Sequence, residues 1–467
     1  MQVPDWQSPL DVAFDRADRY LAGLPDRAVR AQAGVPELRA TLGGPLPDDG
    51  EDPRQVIAEL ADRADAGLLP TGSGRFFGWV FGGALPAALA ADWLTSAWDQ
   101  NAFIAGSSPV AAAVEAVAAG WLTEVLGLPP ACSVGFVTGT QMAHATALAA
   151  ARGELLRRCG WDVERSGLAG APRIRVLAGA ERHSTLDRAV RLVGLGTDSI
   201  VAVEADGQGR MSPDGLRAAL LDGSGPTLVC AQLGNVNTGA VDPIGEICEI
   251  AADAGAWVHV DGAFGMWAAA SPTLRPLVFE LDQADSWATD AHKWLNVPYD
   301  SGLVFCAHPE AHRAAMSMQA SYLGQGAADE RDPLDYNPEA SRRARGLPVY
   351  AALRSLGRTG LAELIERSCA LARRFAAALA EDPRVEVLNE VVLNQVLVRF
   401  LGPDGDHDAN TRQVVAAVQR DGTCWMTGTT WHGMSAMRIS VSNWSTDEAD
   451  VDRSVEAVLG CLAGVGS

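Results

Sequence analysis

Of the eight cysteines, no two stand in a Cys-x-x-Cys spacing and most have apolar neighbours, so neither a disulfide framework nor a zinc site is expected. Positive charge is scarce as well. The chain carries 37 Lys plus Arg against 58 Asp plus Glu, a net charge of −21. Binding to nucleic acid needs clustered cations that release counterions from phosphates, so a nucleic-acid partner is excluded. The longest apolar stretches, 78–98 and 109–126, are interrupted by Pro86, Asp92 or Glu115, and no unbroken membrane span is expected. Residues 1–16 set acids among apolar residues and have no basic start followed by an apolar run. No signal peptide is therefore read, and a cytoplasmic enzyme is the expectation. Internal repeats are missing too. What remains is 467 residues at 48% hydrophobic and 20% charged, enough for two or three domains around at least one large core.

The pattern divides the chain at about 74 and 346. Residues 1–74 hold two amphipathic helices, 10–24 and 53–66, around a turn-rich segment, and read as an arm or cap. Residues 75–346 begin with Ala-rich helices (86–98, 110–126) and continue as short β-rich runs alternating with helices. The runs are 134–137, 174–178, 199–203, 227–232, 257–261, 286–289 and 302–306, each the length of a buried strand. Such alternation predicts an α/β fold with a mostly parallel central sheet and helices on both faces. Residues 324–341 mix Gly, Asp, Glu, Arg and Pro without an apolar period, and an exposed, mobile loop is expected. Residues 347–467 give a long helix to 379, strands near 385–388, 396–398 and 437–441, and a helix at 451–462, a small α+β domain.

In a parallel sheet the carboxyl ends of the strands converge on one crevice, and four of these ends carry polar residues. Thr138-Gly139-Thr140-Gln141 follows a strand and opens a helix, which makes it either a phosphate seat on free backbone N–H groups or simply a tight connection. His183, in a turn after the strand 174–178, is placed to stack on a flat ring or to hydrogen-bond at the next helix start. In Trp257-Val258-His259-Val260-Asp261-Gly262-Ala263 the two-residue period puts His259, Asp261 and Ala263 on one side. A buried carboxylate there needs a cationic partner, as a salt bridge, a cap or a functional group. His-x-Asp can also hold a metal, but no further ligands accompany it at metal-like spacing. Lys293 in Asp290-Ala291-His292-Lys293-Trp294 follows another apolar run. It is either a snorkelling surface lysine or a desolvated amine able to form a Schiff base with an aldehyde cofactor.

Together the four groups fit one molecule. A phosphate seat, a stacking imidazole, a carboxylate and a lysine answer the phosphate, flat ring, pyridine nitrogen and aldehyde of pyridoxal 5′-phosphate. The chain resembles fold-type I pyridoxal-phosphate enzymes of the group II amino-acid decarboxylase family, which includes aromatic-amino-acid, glutamate and histidine decarboxylases. The similarity runs through 75–78, 108–109, 135–152, 235–242, 259–263, 290–295, 341–356 and 438–444, and His292-Lys293-Trp294 behind the Val260-Asp261-Gly262-Ala263 strand is its most specific part.

The resemblance implies that Lys293 binds the cofactor aldehyde, Asp261 pairs with the pyridine nitrogen, Ala263 lies under the ring and His183 above it. It places Thr140 and Gln141 in the phosphate cup with Asp290 and His292 nearby, and gives Asn235 a small polar contact to the cofactor. It assigns Trp79, Phe81 and Phe103 to the substrate side and Tyr322 to the loop acid that returns a proton, with Tyr336 as a rival. Family members often have Gly-Ser or Ala-Ser at the positions of Thr140 and Gln141, and Asn or Thr near His144, so the phosphate contacts differ here in detail. The implied reaction is decarboxylation of an L-amino acid to the amine and CO2, in a homodimer whose active site lies between subunits. Trp79, Phe81, Phe103 and Trp431 point to a hydrophobic or aromatic substrate, although aromatic clusters also build cores. Carbon-carbon lysis, desulfuration, transamination and decarboxylation coupled to aldehyde formation use the same cofactor set and remain alternatives. So do an inactive cofactor-binding subunit and, last, a metal hydrolase using His259 and Asp261.

Overall fold

The computed structural model describes residues 5–318 and 331–465. Seven short runs of buried residues form the main sheet: β1 (Ser133–Val137), β2 (Arg175–Gly179), β3 (Ile200–Val203), β4 (Thr227–Gln232), β5 (Trp257–Asp261), β6 (Ser286–Asp290) and β7 (Gly302–Cys306). Their spatial order is β1-β7-β6-β5-β4-β2-β3. β2 to β6 pair in parallel, and β7 runs antiparallel to both β1 and β6. Because side chains alternate across a strand, one face carries Leu177, Val229, Val258 and Val260, and the other Val176, Leu228, Cys230 and Trp257. Helices Pro109–Leu126 and Ile244–Asp253 cover the first face, and Thr140–Arg158 and Ser184–Leu192 the second. This is an α/β fold with a mixed, mostly parallel sheet between helical layers. His259 and Asp261 share the Trp257 face, where helix Thr140–Arg158 packs.

A second, antiparallel sheet has the order β10-β11-β9-β8, with β8 (Val385–Val387), β9 (Gln395–Phe400), β10 (Thr427–Trp431) and β11 (Met434–Ser440). Its core joins Phe375, Val396, Val398, Val414, Met437 and Ile439. β10 was not expected, because Thr427-Gly428-Thr429-Thr430 has no apolar alternation, and helix His407–Asp421 was not expected either. The helix expected from residue 347 spans Gly346–Leu379 and is broken at Gly357, whose φ of 61° is a left-handed conformation that glycine tolerates.

Residues 331–341 depart from the loop expectation. Arg331 donates to the Val134 carbonyl, Leu334 and Asn337 are buried, and Pro333–Tyr336 forms a short 3-10 turn. What holds the segment is Glu115, fully buried in helix Pro109–Leu126. Arg342 Nη2 donates to its two oxygens at 2.6 and 2.7 Å, and Arg331 Nη1 lies 3.6 Å away. An acid taken out of water needs such partners. That helix is long and apolar enough to cross a membrane by composition, yet half of it is buried inside the fold.

Candidate active site

The ends of β5 and β6 are tied together. The Ala263 N–H donates to Asp261 Oδ1 at 3.1 Å, while the Ala263 carbonyl accepts the Asp290 N–H at 2.9 Å. This fixes Asp261, Ala263, Asp290 and the turn to Lys293 relative to one another. Lys293 Nζ lies 3.0 Å from Asp290 Oδ2, its side chain 21% exposed against 4% for the aspartate, so the amine is reachable while its partner is not. Asp290 Oδ1 accepts the Thr140 N–H at 2.6 Å and stands 3.4 Å from His292 Nε2. His292 Nδ1 accepts from Ser301 N, and its ring stacks on Tyr299 with centroids 4.2 Å apart. Residues 78–85 close over the lysine turn. Gly83 N and Leu85 N donate to Asn296, and a Cβ on Gly82 would stand 1.9 Å from the Lys293 carbonyl, so only glycine allows this approach.

Asp261 is buried, which alone would raise its carboxyl. His144, 3.4 Å away, and then His183 and Lys293 reverse this and hold it well below the usual carboxylate range. His183 feels Asp261, Lys293 and Arg438, and burial lowers its imidazole, so the ring is neutral at pH 7. Its Nδ1 accepts the Thr185 N–H at 3.3 Å and meets the Thr185 hydroxyl at 2.7 Å. The histidine thus caps its helix with one nitrogen and leaves Nε2 for the crevice.

The aromatic residues fall into two groups. Trp79 and Phe81 stand together (5.4 Å), joined by Phe76, by Trp425 at 4.3 Å from Trp79, and by Tyr299 at 5.6 Å from Phe81. Phe103 lies apart from this cluster among the described residues. Its carbonyl accepts the Leu334 N–H, and its neighbours Asn101, Ala102 and Ala105 bond to Arg343, Arg342 and Asp332, which draws the segment to the 331–345 stretch. Trp431 is buried with Leu397 and Ala436, a core residue rather than a pocket wall.

Two further expectations, those for Asn235 and Tyr336, need correction. Asn235 has no amide group left for a cofactor: Nδ2 donates to the Glu181 carbonyl and Gln232 Oε1, and Oδ1 accepts from Asn237 N and Thr238 N. Thr140 gives its N–H to Asp290, and its buried hydroxyl has no partner among the described residues, while Gln141 is part-exposed beside it. Tyr336 packs edge-on to His312 at 5.4 Å and under Arg331 at 4.8 Å. His312 bonds to Ser133 at the start of β1, the end away from the crevice, so Tyr336 is no rival for the loop role within one chain. Tyr322 lies outside the described residues.

Sequence reasoning missed Arg438, Trp425, Tyr299 and the partnership of His144 with Asp261. Arg438 is buried on β11, Nε without a partner among the described residues and Nη1 3.5 Å from Asn237 Oδ1. Its signal was an arginine inside the apolar run Met437-Arg438-Ile439. Both ring nitrogens of His259 are taken, by His144 and Ser286, which removes it from a metal-hydrolase role.

Residues 37–401 match the family model described as the pyridoxal-dependent decarboxylase conserved domain. The chain is 29% identical to tryptophan decarboxylase 1 of Oryza sativa subsp. japonica, over 98% of this chain and 94% of that one. It is also 29% identical to L-2,4-diaminobutyrate decarboxylase of Rhizobium meliloti (strain 1021), over 89% and 83%. The crystal structure of Oryza sativa TDC with PLP and tryptamine superposes with a TM-score of 0.93 at 26% identity, covering all of both chains.

Proposed function

The chain belongs to the pyridoxal-dependent decarboxylase family, and from that premise we propose that it converts an L-amino acid with a hydrophobic or aromatic side chain to the amine and CO2, using pyridoxal 5′-phosphate. The observation that carries the reading is the convergence of Asp261, His183 and Lys293 on one crevice, His183 and Lys293 both acting on the Asp261 carboxyl. The donor set fits the cofactor: a reachable amine, an ionised carboxylate for a pyridine N–H, a neutral imidazole for a ring face, and an orphaned Thr140 hydroxyl at a helix start for an anion. When bound, pyridoxal phosphate supplies an aldehyde and an electron-withdrawing ring that takes up the electron pair left as CO2 departs.

The chain's own residues do the rest. Lys293 would hold the cofactor aldehyde through its amine. Asp261 would hold a proton on the pyridine nitrogen. His183 would cover one ring face and exclude water there. Arg438 draws the anionic end of the substrate inward, and Trp79, Phe81, Trp425 and Tyr299 receive its apolar side chain. Tyr322 returns a proton to the α-carbon. A homodimer supplies that tyrosine and Phe103 to the facing site. The arm helices have the apolar surface for such an assembly, with Trp6, Leu10, Phe14 and Leu60 each more than half exposed.

Incubating the holo-protein with a panel of L-amino acids, and measuring CO2, amine, keto acid and aldehyde, tests the reading. CO2 and amine in equal amounts, with aromatic acids turned over fastest, is the expected result. Keto acid without CO2 would move the chain to transamination, aldehyde with CO2 to the coupled oxidation, and fastest turnover of a diamino acid would overturn the substrate class.

A further inference from the structure

Behind Asp261 a row of polar groups runs into the sheet, away from the crevice. His144 Nε2 lies 3.4 Å from Asp261 Oδ2, His144 Nδ1 is 2.8 Å from His259 Nε2, and His259 Nδ1 is 2.9 Å from Ser286 Oγ. The Trp257 indole donates to the same Ser286 oxygen at 2.9 Å. All four residues beyond Asp261 are fully buried. Trp257, His259 and Asp261 alternate along β5, helix Thr140–Arg158 brings His144 against them, and Ser286 sits opposite His259 on β6.

The two ends of the row fix its direction. A carboxylate only accepts, so His144 must carry its proton on Nε2. An imidazole with that single proton accepts at Nδ1, which requires His259 to donate from Nε2 and accept at Nδ1. The Ser286 hydroxyl donates to that nitrogen and accepts from the indole, which can only donate. Turning the two imidazoles the other way would point a lone pair of His144 at the Asp261 carboxylate. Burial pushes His259 down to about 3, so it is neutral at pH 7, as the row requires.

We propose that Trp257, Ser286, His259 and His144 form a one-way hydrogen-bond relay that orients Asp261 toward the cofactor's pyridine nitrogen, making His144 and His259 positioning residues. The role toward the cofactor rests on the reading under Proposed function; the relay itself does not. Asp261 then accepts the Ala263 N–H on Oδ1 and has His144 Nε2 3.4 Å from Oδ2. Its rotamer is set before the cofactor arrives, and no reorganisation is needed when it binds.

Nitrogen NMR of the full chain with 15N-labelled histidine rings, without and with pyridoxal phosphate, reads the tautomers directly. Signals are assigned by their loss in His144→Gln and His259→Asn. Both rings are expected neutral with the proton on Nε2; a proton on Nδ1 of His144, or an imidazolium there, overturns the relay. Equilibrium binding of pyridoxal phosphate, followed by absorbance, gives the second readout. His144→Leu should bind about ten- to a hundredfold more weakly, the loss expected for a hydrogen bond to a charged group. His144→Gln, whose amide nitrogen stands in for the imidazole Nε2, should recover most of it. Binding by His144→Leu equal to the parent's overturns the positioning role. Failure of the unaltered protein to bind the cofactor overturns the proposed function instead, and the tautomers still decide the relay.

Discussion

Lys293 and Asp290 face each other across a single turn, Nζ 3.0 Å from Oδ2, while the other oxygen of the same carboxylate accepts the Thr140 N–H at 2.6 Å. One acid therefore joins the lysine amine to the start of helix Thr140–Arg158, where the cofactor phosphate is proposed to sit. Burial would raise this carboxyl, but Lys293, His292 and Thr140 hold it below its ordinary value.

A carboxyl depressed in the folded state stabilises the fold above its unfolded pKa, about 3.9, and loses that contribution as pH falls through the folded value. Asp290→Asn is expected to lower unfolding free energy by about 1–3 kcal/mol at pH 7. The gap from the parent should narrow below about pH 4. Urea unfolding at pH 7 and pH 3.5 measures both. An equal gap at the two values would mean that the charge of Asp290 contributes nothing to stability.

Arg438 gives a prediction about substrate capture. Burial pulls its guanidinium down to about 10, so it stays charged at pH 7, and its Nε has no partner among the described residues. Arg438→Met should reduce kcat/KM by about ten- to a hundredfold, through KM more than kcat. The cofactor absorbance should not change. A loss confined to kcat would place the arginine in the chemical step instead.

Much of this architecture was legible because each strand of the main sheet is a short buried run, and because strand ends in such a sheet carry the polar residues. Asp261, Ala263, Asp290 and Lys293 stood out as polar or small residues where a core would have none. His144 did not, since it reaches Asp261 only through the packing of a helix against β5, a contact 117 positions away in sequence with no local pattern. Segment 331–341 looked like a loop because its anchor, Glu115, is more than 200 positions away. Asn235 sat at a family position, but its turn absorbs the amide that was expected to face the cofactor.

Glu115 and Arg342 form the buried pair that anchors that segment, their side chains 1% and 0% exposed. Removing one partner leaves a charge in the core, so Glu115→Ala should cost about 3–5 kcal/mol. Arg331 loses its partner too, which detaches the 331–345 stretch from helix Pro109–Leu126. Thermal and urea unfolding give the magnitude. A cost below about 1 kcal/mol, the value for an exposed pair, would show that water reaches the acid.

His312 predicts how stability responds to mild acid. It is fully buried, Nδ1 2.8 Å from Ser133 Oγ, and burial with the nearby Arg331 charge pushes it down to about 3. Between its unfolded pKa, about 6.5, and the folded value, the unfolded chain binds a proton that the folded one refuses, so stability must fall as pH falls. The limiting slope for one such group is about 1.4 kcal/mol per pH unit. His259, held to about 3 by burial and by His144, adds a second contribution of the same sign. His312→Asn, which keeps a polar atom near Ser133 but does not titrate, should therefore flatten the decline between pH 6.5 and 5 by about half of what the two histidines give together. Urea unfolding across that range reads the slopes, and parallel curves for parent and variant would mean that His312 takes up its proton without unfolding.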